Sequence, residues 1–300
     1  MLHDRLLTRR AAVKRAAFSA VAIPLLGSLS RLGAATSPTA APADSAAPAK
    51  KGRLGDLKLG VASISLKDLT AAGAAAVLKQ LEIPCVSIFR THAFFEKGDP
   101  DDCRKAAETF RAAGVEPATT SVVNLTNDEV AMRRAFDNVR AAGLSMMTCK
   151  PAPDCLKLAE RFAREYDIRL AIHNHGPEDN LYPSPYEALK LIESLDSRIG
   201  LCIDVGHTMR AHVDPAESIR KCASRLYDLH IKDTLAIAGT LKDMPTEVGR
   251  GRIDTRGVLA ALLDVNYTGP VAFEYERGNV NPTLGLAESV GFVRGTLATL

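Results

Sequence analysis

The chain has no Cys-x-x-Cys pair, no Gly-x-Gly-x-x-Gly run after its first strand-like segment, and no strong excess of one charge. Nor does it contain an unbroken apolar stretch of the about 20 residues that a membrane-spanning helix needs. Each absence excludes something. Without paired spacing, Cys85, Cys103, Cys149, Cys155, Cys202 and Cys222 read as buried thiols, because a domain of this size needs no disulfide framework. Without the glycine run, the commonest use of an open doubly wound sheet falls away. The formal net charge of +3 is confined to the start: residues 1–35 hold six Lys and Arg against Asp4, leaving 32 basic and 34 acidic side chains beyond them, a net of −2. A body so near neutrality offers no general electrostatic footprint for nucleic acid. Hydrophobic residues at 46% and charged residues at 24% then describe a globular chain able to bury a core.

The basic start has its own pattern. Thr8-Arg9-Arg10-Ala11-Ala12-Val13-Lys14 resembles a twin-arginine export signal, and an apolar run follows from Ala16 to Leu26, broken by Pro24. Residues 1–35 are read as that signal, with a basic tail as the alternative. Gly33-Ala34-Ala35 and Ala41-Pro42-Ala43 both offer small-residue cleavage sites. Residues 36–53, rich in Ala, Pro and Ser, read as a linker, and residues 54–300 as a catalytic domain. The expected location is periplasmic or otherwise exported, by a route that carries folded proteins and so allows metal loading inside the cell.

Beyond the linker, strand-like runs at Lys58–Ser63, Cys85–Arg90, Glu116–Val123, Ser145–Lys150, Arg169–Asn174, Ile199–Asp204, Tyr227–Ile231 and Val271–Tyr275 alternate with helical segments. Thr126-Asn127-Asp128-Glu129 and Ser184-Pro185-Tyr186-Glu187 read as capping boxes, and Asp214-Pro215-Ala216-Glu217 repeats the device with Asp as the cap. Eight strand–helix units in about 245 residues are the dimension of a closed α/β barrel, the (β/α)8 TIM barrel; an open sheet is the runner-up.

In such a barrel, reactive groups sit at the carboxyl ends of the strands. Four runs deliver paired polar residues there: His173 with His175, Asp204 with His207, His230 with Lys232, and Glu274 with Glu276. Residues two apart on a strand share a face, so three of these pairs point one way each. Five of the six histidines beyond the leader (His92, His173, His175, His207, His230) fall at predicted strand ends, and only His212 does not. One imidazole or carboxylate from each of four strands makes a mixed N/O site for one divalent ion, Mn, Zn, Co, Fe or Ni rather than Ca. Gly249-Arg250-Gly251-Arg252 reads as a tight loop before Asp254, a helix cap, and not as a phosphate loop.

Asp204-Val205-Gly206-His207, His230-Ile231-Lys232-Asp233, Val248 to Asp254, and Phe273-Glu274-Tyr275-Glu276 resemble successive motifs of the xylose isomerase-like TIM-barrel superfamily. Sugar epimerases, inosose dehydratases and endonuclease IV belong to it. The resemblance implies His173, Asp204, His230 and Glu274 as metal ligands and His207 as an acid/base group beside them. Many epimerases of that family carry Glu at the His173 position, where it also serves as one of two opposed bases. Which of His173 and His175 ligates stays open.

A single-base reaction suits the remaining groups. The ion would acidify a C–H next to a substrate carbonyl, and His207, titrating near neutrality, would remove the proton. Lys232 or Lys150 would stabilise oxyanion charge or protonate a leaving group, and Glu276 completes the catalytic set. Alternatively Lys232 only pairs with Asp228 or Asp233, Lys150 is merely solvated, and Glu276 forms a rim salt bridge. His175, Arg210 and His92 are candidates for substrate contact, and Asn174 for orienting a histidine. The expected substrate is a small carbohydrate and the expected activity an isomerase or epimerase. The alternatives are a lyase acting on a 3-keto-glycoside or inosose, a non-catalytic sugar-binding barrel, and an endonuclease IV-like phosphodiesterase.

Overall fold

The computed structural model describes residues 57–278 and 280–300; the expected signal and linker lie outside the described residues. In chain order the strands are β1 Lys58–Ala62, β2 Cys85–Ile88, β3 Glu116–Thr120, β4 Val123–Leu125, β5 Met146–Pro151, β6 Arg169–His173, β7 Ile199–Asp204, β8 Leu226–Ile231, β9 Asp233–Thr234, β10 Pro245–Thr246 and β11 Pro270–Phe273. The helices are α1 Ala71–Gln80, α2 Pro100–Ala112, α3 Glu129–Ala141, α4 Leu156–Tyr166, α5 Pro185–Ile192, α6 Val205–Arg210, α7 Pro215–Cys222, α8 Thr255–Asp264 and α9 Pro282–Leu297.

Strands covered on both faces read as continuous apolar runs rather than alternating ones. In β7 all six residues are buried, and in β11 all four. Nine strands pair in parallel in the order β3-β2-β1-β11-β8-β7-β6-β5-β4. The two ends of that order are consecutive in sequence. The expected single strand Glu116–Val123 is thus two pieces, β3 pairing with β2 and β4 with β5, with the ladder broken at Ser121–Val122. Four threonine contacts bridge the gap: the Thr148 amide donates to Thr119 Oγ1 at 3.0 Å, Thr119 Oγ1 donates to the Met146 carbonyl at 3.3 Å and lies 3.0 Å from Thr148 Oγ1, and Thr120 Oγ1 donates to the Thr148 carbonyl at 3.1 Å. Counting β3 and β4 as one position gives eight. The fold is a (β/α)8 barrel.

The helices start where short polar side chains can take orphan backbone N–H groups. Ser184 and Glu187 form the capping box of α5, with Pro185 in its first turn, and Asp214 caps α7 by accepting the Glu217 amide at 2.7 Å. At α3 the cap is Asp128, not Thr126; its carboxylate accepts the amides of Val130 and Ala131, which starts the helix two residues later than expected. Helix α4 buries Leu156, Ala159, Phe162 and Ala163, with Phe162 5.5 Å from the Phe136 ring of α3. It stops at Asp167, whose φ of +53° is left-handed. Among the described residues no helix is long and apolar enough to cross a membrane. The short antiparallel pair β9–β10 closes a strap over residues 233–246 that the strand pattern does not announce.

Candidate metal centre

Four adjacent barrel strands end in the predicted ligands. His173 closes β6, Asp204 closes β7, His230 is the penultimate residue of β8, and Glu274 follows β11 directly. The register sets Asp204 opposite His230, and Phe273, one residue before Glu274, opposite Ile231. All four residues are buried, and each offers one donor atom within 4.8 Å of the other three. His173 Nε2 lies 3.0 Å from His230 Nδ1 and 3.8 Å from Asp204 Oδ2, while His230 Nδ1 lies 2.7 Å from Glu274 Oε2.

This set fits a divalent ion. Buried polar atoms are normally hydrogen-bonded, yet Asp204 Oδ2, 3.8 Å from His173 Nε2, has no hydrogen-bond partner. The other Asp204 oxygen accepts the His207 amide at 2.8 Å, so the free oxygen is held in position toward His173. Burial pushes the Asp204 carboxyl up to about 7 and holds His173 well below the usual imidazole range, with the neighbouring His175 and His230 acting in the same sense. For Glu274, burial works upward, but the Lys232 ammonium and His230 outweigh it and hold the carboxyl well below its ordinary value. Two imidazoles and two carboxylates are the donor set of a first-row divalent cation. Asn174 braces the set without orienting a histidine: its Oδ1 accepts the Asp204 amide at 3.0 Å and its Nδ2 donates to Thr208 at 3.1 Å.

The cations around the centre are more enclosed than expected. Lys232 is buried, with Nζ 3.1 Å from Glu274 Oε1, 2.5 Å from Glu276 Oε2 and 3.6 Å from Asp243 Oδ2. Its partners are these three carboxylates, not Asp228 or Asp233. Glu276, its side chain 30% exposed, is pushed upward by burial and by Glu274. Asp233 is occupied otherwise: it accepts the amides of Gly249 and Gly251 at 2.9 Å and of Ile253 at 3.1 Å. The loop's N–H groups thus close on an internal carboxylate, as a tight loop rather than a phosphate cradle, and a Cβ at Gly251 would meet Asp233 at 1.9 Å. Lys150 is not freely solvated; its Nζ is 2.5 Å from Asp179 Oδ2, which also lies 3.4 Å from His175 Nδ1. His175 is itself 4.5 Å from the His173 ring, with its side chain 29% exposed.

Three expected roles need correction. His207 does not titrate near neutrality: burial, with the charges of Lys232 and Arg210, holds it well below the usual range. Its Nδ1 sits 2.6 Å from Arg210 Nη2, and guanidinium has only donors, so neutral His207 carries its proton on Nε2 and presents a donor there. Arg210 is fully buried, bonded through two nitrogens to Glu178 and to the carbonyls of Thr240 and Leu241, and so is not turned to a substrate. His92 spends both ring nitrogens locally, on Ser63 Oγ at 2.9 Å and the Leu69 carbonyl at 3.1 Å. Sequence reasoning missed Asp179, Asp243 and Glu178, and named Asp228 only as a partner for Lys232. Three of these sit in loops whose course no periodicity reveals.

Residues 149–296, just under half the chain, match the family model of the xylose isomerase-like TIM barrel. The chain is 28% identical over 124 residues to a probable endonuclease 4 of Thermoplasma volcanium, covering 38% of this chain and 44% of that one. It is 27% identical over 159 residues to an inosose dehydratase of Geobacillus kaustophilus, covering 48% and 51%. The chain therefore spans about half or less of these curated relatives. Among solved structures, the IolI protein with a bound zinc atom superposes with a TM-score of 0.68 at 16% identity, over 81% of this chain and 99% of that one. The 3-keto-D-glucoside 4-epimerase of E. coli gives 0.63 at 14% identity, over 80% and 99%. The whole-chain likeness is that of the barrel fold, and the likeness to the xylose isomerase-like family model is carried by residues 149–296.

Proposed function

We propose that the protein is a divalent-metal-dependent isomerase or epimerase that moves a proton on carbon beside the carbonyl of a sugar or keto-sugar. The observation that carries this reading is the convergence of His173, Asp204, His230 and Glu274, with Asp204 Oδ2 buried and unpartnered. Resemblance to sugar epimerases and to an inosose dehydratase supports the substrate class. His173, Asp204, His230 and Glu274 would hold the ion, which, when bound, would polarise the substrate carbonyl and acidify the neighbouring C–H.

The remaining groups divide the proton work. Glu276 is the base we favour over His207: it is partly open to solvent and its affinity for a proton is raised by burial and by Glu274, as a general base requires. Lys232, kept protonated by the carboxylates around it, stabilises negative charge developing on the substrate oxygen. His207 donates from Nε2 to a substrate oxygen. His175 and Lys150, both fixed by Asp179, provide a second protonated or hydrogen-bonding edge.

Elimination is a second reading, favoured by Lys150 as a proton donor to a leaving group and by the likeness to inosose dehydratase. Phosphodiester cleavage in the manner of endonuclease IV calls for a three-metal cluster. Among the described residues, the groups that bring three or more ligand atoms together are the four-residue set and an overlapping one, His173, Cys202 and His230. Export by the twin-arginine route is part of the proposal and rests on the sequence alone, on residues 8–14, the apolar run from Ala16 to Leu26 and the small-residue sites after it.

Purified protein is to be loaded with Mn2+ and offered free ketoses, inososes and 3-keto-glucosides in deuterated water. Solvent deuterium on carbon, with isomerised or dehydrated product, is expected. Absence of exchange and turnover with every class overturns the reading.

A further inference from the structure

On the inner side of the metal centre, Asp228 lies two residues before His230 on β8, so both side chains face the barrel interior. Asp228 is fully buried. Its Oδ2 accepts the hydroxyl of Thr148 at 2.7 Å, a bond that crosses the interior, since β5 and β8 are separated by β6 and β7 in the sheet. Thr148 Oγ1 in turn lies 3.0 Å from Thr119 Oγ1 on β3. Oδ1 of Asp228 accepts the Leu229 amide at 2.9 Å. The oxygen held by Thr148 is also 3.6 Å from His230 Nε2, the nitrogen that has no hydrogen-bond partner, while Nδ1 of the same ring faces His173 and Glu274.

A neutral imidazole has one donor nitrogen and one acceptor nitrogen, and the partner of one decides the role of the other. We infer that Asp228 is a positioning residue: it keeps the His230 proton on Nε2 and so leaves Nδ1 with a free lone pair for a divalent ion. Thr148, backed by Thr119, keeps the carboxylate in place from the far side of the barrel. This inference rests on reading the four-residue group as a metal centre.

Asp228→Asn discriminates sharply. With its oxygen still accepting the Leu229 amide, the asparagine turns its NH2 toward His230 Nε2, makes that nitrogen the acceptor, and moves the proton to Nδ1, where it blocks the ion. The test titrates metal-free protein with Zn2+ against a chromophoric chelator, and records the visible spectrum of the Co2+ form and the melting curve of the metal-free form. Relative to the unsubstituted chain, Asp228→Asn is expected to bind Zn2+ about 10- to 100-fold more weakly, with altered Co2+ bands and an unchanged metal-free melting curve. Thr148→Ser should match the unsubstituted chain and Thr148→Val should fall between. Zn2+ binding by folded Asp228→Asn, or by Thr148→Val should the first variant not fold, within about two-fold of the unsubstituted chain overturns the positioning role alone. Failure of the unsubstituted chain to bind Zn2+ at all overturns the metal reading and this inference with it.

Discussion

Nδ1 of His207 and Nη2 of Arg210 lie 2.6 Å apart inside the protein, and the arginine is fully buried. One turn of α6 therefore joins a histidine at the site to a guanidinium that holds the loops over it, through Glu178 and the carbonyls of Thr240 and Leu241. Replacing Arg210 by Met should cost about 3 kcal/mol, the low end for breaking a buried pair, because Glu178 still reaches water. Urea unfolding measures the loss. Turnover should fall as well, since the strap that brings Asp243 to Lys232 loses its anchor.

Removing the ion should lower the melting temperature, because a ligand that binds only the folded state stabilises it, by about 2.7 kcal/mol at a hundred times its dissociation constant. Chelator treatment followed by calorimetry reads this directly. Asp204→Ala and Glu274→Gln should each abolish stoichiometric metal in elemental analysis; unchanged content in both would remove them from the ligand set.

Glu276→Gln should leave metal content intact and reduce turnover by about 10²- to 10⁴-fold, the usual contribution of a positioned base. Deuterium exchange into substrate should fall in parallel. If His207→Gln instead abolishes exchange while Glu276→Gln retains it, the proton is taken by the histidine.

Glu247, directly after the strap, adds stability that is sensitive to acid. Burial works against its charge, but its own amide, the Tyr275 and Thr246 hydroxyls and the Arg277 guanidinium hold it at about 2, below its ordinary 4.5. A folded-state value below the unfolded one adds stability that is complete above pH 4.5 and is lost as pH falls toward 2. Melting curves across that range should fall more steeply for the unsubstituted chain than for Glu247→Gln.

Phe162 packs in a three-ring cluster with Phe136 and Tyr166, with ring centroids 5.5 and 5.9 Å away. Phe162→Ala should cost about 3–5 kcal/mol in equilibrium unfolding. Because the cavity opens between α3 and α4, outside the barrel, Zn2+ affinity at the centre should not change.

The ligand residues were legible because strand alternation and strand ends can be read from apolar runs: His173, Asp204, His230 and Glu274 each close or follow one. What joins them to their surroundings was not. Asp179 meets Lys150 only because the loop after β6 doubles back, with the Asp179 carboxylate accepting the Leu181 amide. Asp228 meets Thr148 only because a closed ring brings non-neighbouring strands face to face. Nothing in Asp204-Val205-Gly206-His207-Thr208-Met209-Arg210 marks the arginine as buried, since its six-residue helix has no apolar stripe to sort by. The run Glu116–Val123 hides its break for a related reason: all of Thr119 to Ser121 and Val123 are buried, so the residues facing the interior continue past the point where backbone pairing stops.

That interruption makes the ring a clasped band. Elsewhere around its circumference peptide groups grip peptide groups; beside Thr119 and Thr120 the fastening is made by side-chain hydroxyls, each exchangeable for a methyl by a single substitution. Thr148 belongs both to that fastener and to the tether on Asp228. Loosening the seam would therefore be felt on the opposite wall, at His230, by way of one shared oxygen atom.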